Sequence, residues 1–317
     1  MTATAAARAK EIAAARAKEI AAARAKEIAA AQAKEIAAAQ AHVQEVVRRS
    51  GSSFSLGMRI LPPERRQAMY AIYAFCREVD DVADDGGPTE VRLAELDRWR
   101  EEIHGLYEGR PSRPTTLALL EPVRHFGLPR EEFLALIDGM EMDARETMRA
   151  PPMTTLLLYC RRVAGTVGLL SLPVFGATEA EARTFALTLG DALQLTNILR
   201  DLAEDAGRNR LYLPREALER HAIDPTLAPE AVLRHPALPA VFRDLAAQAR
   251  GRYAEADAAL ARCNRRRLRP ALLMMAIYEA ILDRLERRGW DPDRPPPRLP
   301  KAAKLWAALT RGLLRSR

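Results

Sequence analysis

Apolar residues recur along most of the chain at the three- and four-residue spacing of an α-helix, and no segment shows the alternation of a β-strand. Proline and glycine interrupt this pattern at intervals of ordinary helix length. The sequence therefore predicts an all-α protein. We expect its clearest helices near residues 63–85, 89–108, 114–126, 130–149, 153–175, 271–288 and 301–314.

Residues 5–41 are built from variants of an eight-residue unit, A-A-A-R-A-K-E-I. Alanine has the highest helix propensity, and Arg and Glu within the unit are spaced for ion pairs, so a helix roughly 55 Å long is expected. Eight residues advance about 80° beyond two helical turns, so the isoleucines spiral around the helix and form no coiled-coil seam. We interpret residues 1–41 as a solvated helical extension, natural or engineered, followed by a helical domain at 42–297.

The composition fits a helical protein with a large core, because 48% of the 317 residues are hydrophobic and only 5% are aromatic. The three cysteines have no metal-binding spacing, which suits a reducing compartment. The N-terminus lacks the apolar core of a signal peptide, and no run of about 18 apolar residues indicates a membrane span. These features predict a cytoplasmic protein.

The net charge of +7 is concentrated at the two ends of the chain. Residues 1–49 carry a net +4 and residues 298–317 a net +6, which leaves residues 50–297 at −3. An acidic body argues against a nucleic-acid groove, so no nucleic-acid partner is expected. Residues 298–317 predict a basic amphipathic helix, which either makes a peripheral contact with an anionic membrane, at the inner face of a bacterial membrane, or packs on the domain.

One polar stripe lies in the segment 191–214, which predicts a helix followed by a short basic turn. Asn197, Asp201 and Asp205 are four residues apart, so they share one side of the helix, with Gln194 one turn earlier. A solvated helix face is the simple alternative, but its neighbours are amides and apolar residues rather than cations. Oxygen ligands without imidazole or thiolate suit a hard cation such as Mg²⁺.

A second acidic motif follows an apolar run upstream, with five acidic residues among the eight positions 78–85. Asp80 and Asp84 are again four residues apart, and Arg77 precedes Asp80 by one turn. Like charges at this density destabilise a helix unless a cation neutralises them. Two such helices beside an apolar cavity are what a magnesium-bound diphosphate with a hydrophobic tail requires.

The two motifs together resemble the aspartate-rich motifs of the squalene and phytoene synthase family. S-G-S-S-F, Y-C-R-R-V-A-G-T-V-G and R-N-R-L-Y-L-P also resemble the family at residues 50–54, 159–168 and 208–214. D-G-M-E-M-D, R-P-A-L-L-M-M-A-I-Y and K-L-W-A-A-L are most similar to its bacterial branch that makes presqualene diphosphate for hopanoids. The resemblance covers roughly residues 42–312.

The resemblance implies an isoprenoid-synthase helical bundle around a central cavity. It also implies a magnesium-dependent, head-to-head condensation of two farnesyl diphosphate molecules to presqualene diphosphate. The implied Mg²⁺ ligands are Asp80, Asp84, Asn197, Asp201 and Asp205, and the four aspartates with Tyr159 are the implied catalytic residues. The substrate-binding candidates are Ser50, Ser53, Phe54, Arg77, Gly165, Gly168, Gln194, Asn197, Arg200, Arg210 and Tyr212.

Two features have structural alternatives at this point. Gly165 and Gly168 either open a gap for an isoprenoid chain or let two helices pack closely. Asp138, Glu141 and Asp143 form a third acidic cluster, but nearby arginines offer structural partners, so we do not assign this cluster to the site.

Functional alternatives also stay open. Squalene, dehydrosqualene and phytoene synthases share the acidic motifs and differ in product, although the lack of a Gly-rich dinucleotide motif disfavours an NADPH-dependent second step. A non-catalytic helical isoprenoid-binding protein is the alternative of another class, and it would not need intact aspartates. Ser55 and Leu56 stand where the family pattern has aromatic residues, which leaves the shape of one tail pocket open.

Overall fold

The computed structural model describes residues 2–291, Pro300 and Trp306 of the chain. This part forms thirteen α-helices and one π-helical turn and contains no β-strand, which confirms the predicted all-α class. The helices are α1 (Thr2–Ser50), α2 (Phe54–Arg59), α3 (Pro63–Asp84), α4 (Thr89–Tyr107), α5 (Pro114–Phe126), α6 (Arg130–Ala144), α7 (Met153–Cys160), α8 (Thr166–Phe175), α9 (Ala180–Gly207), α10 (Arg215–Arg220), α11 (Pro229–Leu233), α12 (Leu238–Leu260) and α13 (Arg269–Arg288).

Helices α3 and α9 carry the two acidic motifs and stand on opposite sides of the centre. Proline at the first helical position starts α3, which packs on α1, α5 and α6 through an apolar stripe that includes Ile72 and Phe75. Helix α9 packs along α12 and buries Leu195, Ile198 and Leu202. Each helix thus buries its apolar face and turns its acidic side toward the space between the two.

The repeat extension continues into the domain as one helix, α1. Among its described side chains, Ala39 is the first that is buried, and Val43 and Val47 follow at helical spacing. These buried residues anchor the last turns of α1 against α3 and α5. The described side chains before Ala39 are exposed, which agrees with the expected lack of an apolar seam.

Two predicted helices differ in their details from the structure. Helix α6 ends at Ala144 rather than at residue 149, because Glu146 and Ala150 have positive φ and the Ala150 N–H donates to the Leu211 carbonyl at 2.8 Å. The predicted helix at 153–175 is interrupted by a π-helical turn at Arg161–Gly165, which separates α7 from α8.

The segment Met153–Phe175 has the length and composition of a membrane-crossing helix, although no such run was expected from the sequence. Half of its most apolar window is buried inside the fold. Core helices of soluble proteins meet the same criterion, so this finding assigns no membrane span. The helix expected at 301–314 lies outside the described residues, apart from Trp306.

Candidate active site

Two joined chambers occupy the space between α3 and α9. The polar chamber has a volume of about 480 Å³ and contains both acidic motifs. The apolar chamber, of about 250 Å³, extends from it between α2, α8 and α13. Both are lined by Phe54, Tyr73, Cys76, Val163, Gln194 and Asn197. A ligand can therefore have a charged head in one chamber and an apolar tail in the other.

The aspartates on the α3 wall of the polar chamber are paired with arginines. Asp84 accepts hydrogen bonds from Arg208 Nη1 at 2.5 Å and from Arg210 Nη1 at 2.6 Å. Both arginines come from the basic turn after α9, so these bonds join the two acidic motifs. Asp80 lies 3.4 Å from Arg77 Nη1, whose Nη2 donates to Asp81 at 2.5 Å.

The α9 wall presents its predicted stripe to the same chamber. Arg200 donates two hydrogen bonds to Asp201, at 2.8 and 2.6 Å. Asn197 Nδ2 donates to Gln194 Oε1 at 3.3 Å, while Asn197 Oδ1 is buried without a hydrogen-bond partner. An unpaired buried acceptor is costly, so this oxygen is suited to a ligand that brings a cation or a donor.

Burial and mutual repulsion raise the pKa of one carboxyl group on each wall. The pKa of Asp80 is raised to about 7, first by burial and then by the charge of Asp84, although Arg77 opposes the shift. The pKa of Asp205 is raised to about 8 by burial and by the charge of Asp201. A cation between the two walls would favour the ionised form of both groups.

The third acidic cluster is divided between two environments. Arg100 Nη2 donates to Asp138 at 2.7 Å and also to Glu141, so these two carboxylates have the structural role that the sequence suggested. Asp143 instead lines the polar chamber, and its side chain is buried. Its signal in the sequence is its helical spacing from Leu136 and Met140, which line the same chamber.

Asp143 binds two stacked tyrosines. It accepts hydrogen bonds from Tyr159 Oη at 2.7 Å and from Tyr212 Oη at 2.6 Å, and the two ring centroids are 5.1 Å apart. Burial and the Asp143 charge raise the pKa of both phenols well above the usual value. Both hydroxyls therefore keep their protons at neutral pH and act as donors.

Some predicted substrate residues do not line either chamber. Ser50 Oγ donates to the Val47 carbonyl at 2.9 Å and so serves the end of α1. Ser52, rather than Ser50 or Ser53, lines the polar chamber, and its Oγ accepts from the Phe54 N–H at 3.2 Å. Sequence reasoning also missed Arg208, although it lies in the basic turn that carried the resemblance.

The two glycines of α8 and the π-helical turn serve close packing. A Cβ on Gly168 would lie 3.0 Å from the Ala186 carbonyl oxygen, and a Cβ on Gly190 would lie 2.9 Å from the Gly165 nitrogen. These contacts support the packing alternative at both positions. Gly168 also lines the apolar chamber, whereas Gly165 lines neither chamber.

The polar chamber fits a magnesium–diphosphate complex better than a metal ion held by protein alone. Among the described residues, no group of three or more His, Cys, Asp or Glu could hold a metal ion. Yet six carboxyl groups and four arginines line the chamber, so acidic side chains outnumber basic ones. Mg²⁺ in phosphate-transfer sites is usually held by one or two carboxylates plus substrate phosphates. The aspartates of the two walls and the unpaired Asn197 Oδ1 fit that arrangement.

Sequence comparison connects this site to known proteins. The family described as squalene/phytoene synthase matches residues 47–303. A presqualene diphosphate synthase of Sinorhizobium fredii is 48% identical over 83% of this chain and 94% of its own length. One of Rhodopseudomonas palustris is 48% identical over 80% and 91%, and phytoene synthase 3 of Zea mays is 35% identical over 86% and 65%.

Solved structures share the fold. A dehydrosqualene synthase in complex with ligand superposes with a TM-score of 0.78 at 28% identity, over 90% of this chain and all of that one. A squalene synthase from Alicyclobacillus acidocaldarius gives 0.73 at 28% identity, over 81% and 97%. These findings confirm the predicted isoprenoid-synthase fold. With its two facing acidic helices and its match over most of the chain, the protein belongs to the squalene/phytoene synthase family.

Proposed function

We propose that this protein condenses two farnesyl diphosphate molecules head to head and releases presqualene diphosphate. The observation that carries the proposal is the junction of a chamber with two acidic walls and an apolar chamber, in a chain 48% identical to presqualene diphosphate synthases. The polar chamber suits the diphosphate groups, and the apolar chamber suits a farnesyl tail.

Four arginines of the polar chamber would bind and orient the diphosphates. Arg77, Arg200, Arg208 and Arg210 line it, and each now contacts a carboxylate of the acidic motifs. A diphosphate that brings metal ions would compete for these same groups, because guanidinium binds phosphate oxygens in a bidentate manner. The ion pairs thus keep the arginines at the site before the substrate arrives.

Magnesium would be held by Asp80 and Asp84 on α3 and by Asn197, Asp201 and Asp205 on α9. When bound, it supplies Lewis-acid stabilisation of the negative charge that develops on the leaving diphosphate. The apolar lining between the chambers, including Phe54 and Val163, excludes water from the allylic cation that remains.

Tyr159 and Asp143 would accept the proton whose loss closes the cyclopropane ring. The cation adds to the double bond of the second farnesyl diphosphate, and a C–H bond then breaks to complete the ring. Tyr159 Oη takes that proton while passing its own to Asp143, to which it donates at 2.7 Å. The raised pKa of Asp143, caused by burial, favours this transfer.

We place residues 42–297 as the catalytic domain of a cytoplasmic enzyme, with residues 1–41 as an extension. We also propose that residues 298–317 make a peripheral contact with an anionic membrane.

Product analysis tests the proposed reaction. Incubation with farnesyl diphosphate and Mg²⁺ should yield presqualene diphosphate by mass spectrometry, and added NADPH should change little. Squalene that forms only with NADPH would assign the chain to squalene synthase. A folded protein that binds farnesyl diphosphate without turnover would support the non-catalytic alternative.

A further inference from the structure

The apolar chamber ends beneath an arginine-rich surface. Its end away from the acidic motifs is lined by Gly57, Met58, Leu61, Phe175 and Pro270, which belong to the apolar chamber and not to the polar one. These residues come from α2 and the turn after it, from the end of α8 and from the start of α13. Three elements that are distant in sequence therefore line this end of the chamber.

Close contacts join the three elements into one surface. A Cβ on Gly57 would lie 3.0 Å from the Pro270 carbonyl oxygen, so α2 and α13 meet at backbone distance. Arg267 Nη1 donates to the Gly176 carbonyl at 2.5 Å, which connects the loop before α13 to the end of α8. The residues that flank these contacts therefore lie at the same end of the protein.

We call this surface the arginine face and define it by Arg59, Ile60, Arg262, Arg266 and Arg269, all of which are exposed. The exposed fraction of Ile60 is 51%, although it is a large apolar residue. Within the described part of the chain, no ion pair or side-chain hydrogen bond involves Arg59, Arg266 or Arg269. These guanidinium groups are available to an anionic partner.

The five residues that define the arginine face carry four positive charges and no negative charge. Glu179 and Glu181 act electrostatically on Cys263, next to Arg262. The arginine face therefore keeps a positive balance around an exposed apolar side chain, above the end of an apolar chamber.

We infer that the arginine face docks on an anionic lipid bilayer and that the apolar chamber delivers its product there. The inference rests on the proposed function, because a product with two farnesyl-derived chains is far more soluble in lipid than in water. Charge complementarity favours an anionic bilayer as the partner of this face. Guanidinium groups attract phosphate-bearing headgroups, and Ile60 contributes apolar contact at the interface. Residues 298–317 carry six basic and no acidic residues, so their charge does not complement the arginine face.

Vesicle binding of the full-length chain, without substrate, tests the arginine face. The variant R59Q/R266Q/R269Q should bind vesicles of phosphatidylcholine and phosphatidylglycerol at least about tenfold more weakly than the unchanged protein. The matched control R215Q/R243Q/R287Q removes three other exposed arginines, one of them at the far end of α13, and should bind as the unchanged protein does. Vesicles of phosphatidylcholine alone should bind all three proteins weakly.

Equal binding of the two triple variants to anionic vesicles would overturn the inference, and would leave residues 298–317 or other cations as the contact. A second measurement, Ile60→Ser, should weaken binding without altering its salt dependence, and unchanged binding would also count against the face. Product formation in detergent is assayed separately and should stay at the unchanged level in every variant. A failure of the proposed reaction is therefore distinguishable from a failure of the docking surface.

Discussion

The polar chamber is lined by six carboxylates and four arginines, whereas no charged side chain among the described residues lines the apolar chamber. The two nevertheless share a wall that includes Phe54, Gln194 and Asn197. Interactions with developing charge in the polar chamber act on the transition state, while apolar contacts bind substrate and transition state alike. We therefore expect substitutions in the polar chamber to act on the rate of the reaction and those in the apolar chamber to act on substrate fit.

The largest effect is expected from the acidic walls. Asp80→Ala or Asp201→Ala should lower kcat by about a thousandfold or more, because each removes a carboxylate that would hold the Mg²⁺ that stabilises the leaving diphosphate. Circular dichroism should show an unchanged helical content. The matched control is Asp85→Ala, an exposed aspartate at the end of α3, which should retain activity. Full activity of either wall variant would eliminate the two-motif site.

Substitutions of Asp143 and its hydrogen-bond partner Tyr159 should give the next largest effect. Asp143→Asn keeps the shape of the side chain and one oxygen that accepts hydrogen bonds, but it removes the carboxylate that takes up the proton. Tyr159→Phe removes the hydroxyl. Each substitution should therefore lower kcat by about a hundredfold. Because the two groups act in one relay, the double variant should be little worse than either single one. Asp138→Asn is the control, because Asp138 lies on the same helix as Asp143 but is paired with Arg100. Independent, additive losses would contradict the relay.

Substitutions in the apolar chamber should instead change the preferred length of the substrate's prenyl chain. Leu172→Phe makes a chamber-lining side chain larger, so kcat/KM for farnesyl diphosphate should fall about tenfold and that for the shorter geranyl diphosphate much less. The control Leu158→Phe changes an exposed leucine outside both chambers. An equal loss with both substrates would indicate general misfolding rather than a tail pocket.

A half-buried aspartate, Asp191, lies outside both chambers. Burial raises the pKa of Asp191 to about 6, although Arg252, 3.6 Å away, opposes the shift. The folded state thus binds this proton more tightly than the unfolded chain, so its stabilising contribution is present below about pH 4 and lost as pH rises through about 6. Asp191→Asn should flatten this decline in urea unfolding between these values. An unchanged pH profile would show that Asp191 is not shifted.

The smallest effect is expected from the repeat extension. Deleting residues 2–36 should change kcat by less than a few-fold, since buried contacts of α1 begin at Ala39. A deletion that continues through Val47 should lower the melting temperature strongly, because it removes two fully or nearly buried valines of α1. A collapse of activity in the shorter deletion would show that the extension belongs to the working enzyme.

Most helices and the two acidic stripes could be predicted from the sequence, although Glu204, which also lines the polar chamber, was not among the predicted residues. Their spacing places Asp80 with Asp84, and Asn197 with Asp201 and Asp205, on one side of a helix whatever the surroundings. The π-helical turn could not be predicted, because it depends on close packing. A Cβ on Gly139 would lie within 3.0 Å of Arg162 Cβ, a contact between residues far apart in sequence.

The sequence by itself determined the helical class, the exposed repeat extension and the two acidic stripes, because helix propensity and side-chain spacing act within a few residues. Only the tertiary structure decided which acidic residues of α6 face the chamber. Asp138 meets Arg100, whereas Asp143 meets Tyr159 and Tyr212, and none of these partners is its neighbour in sequence. The charge state and role of a carboxylate follow from what surrounds it, and those surroundings are assembled by folding.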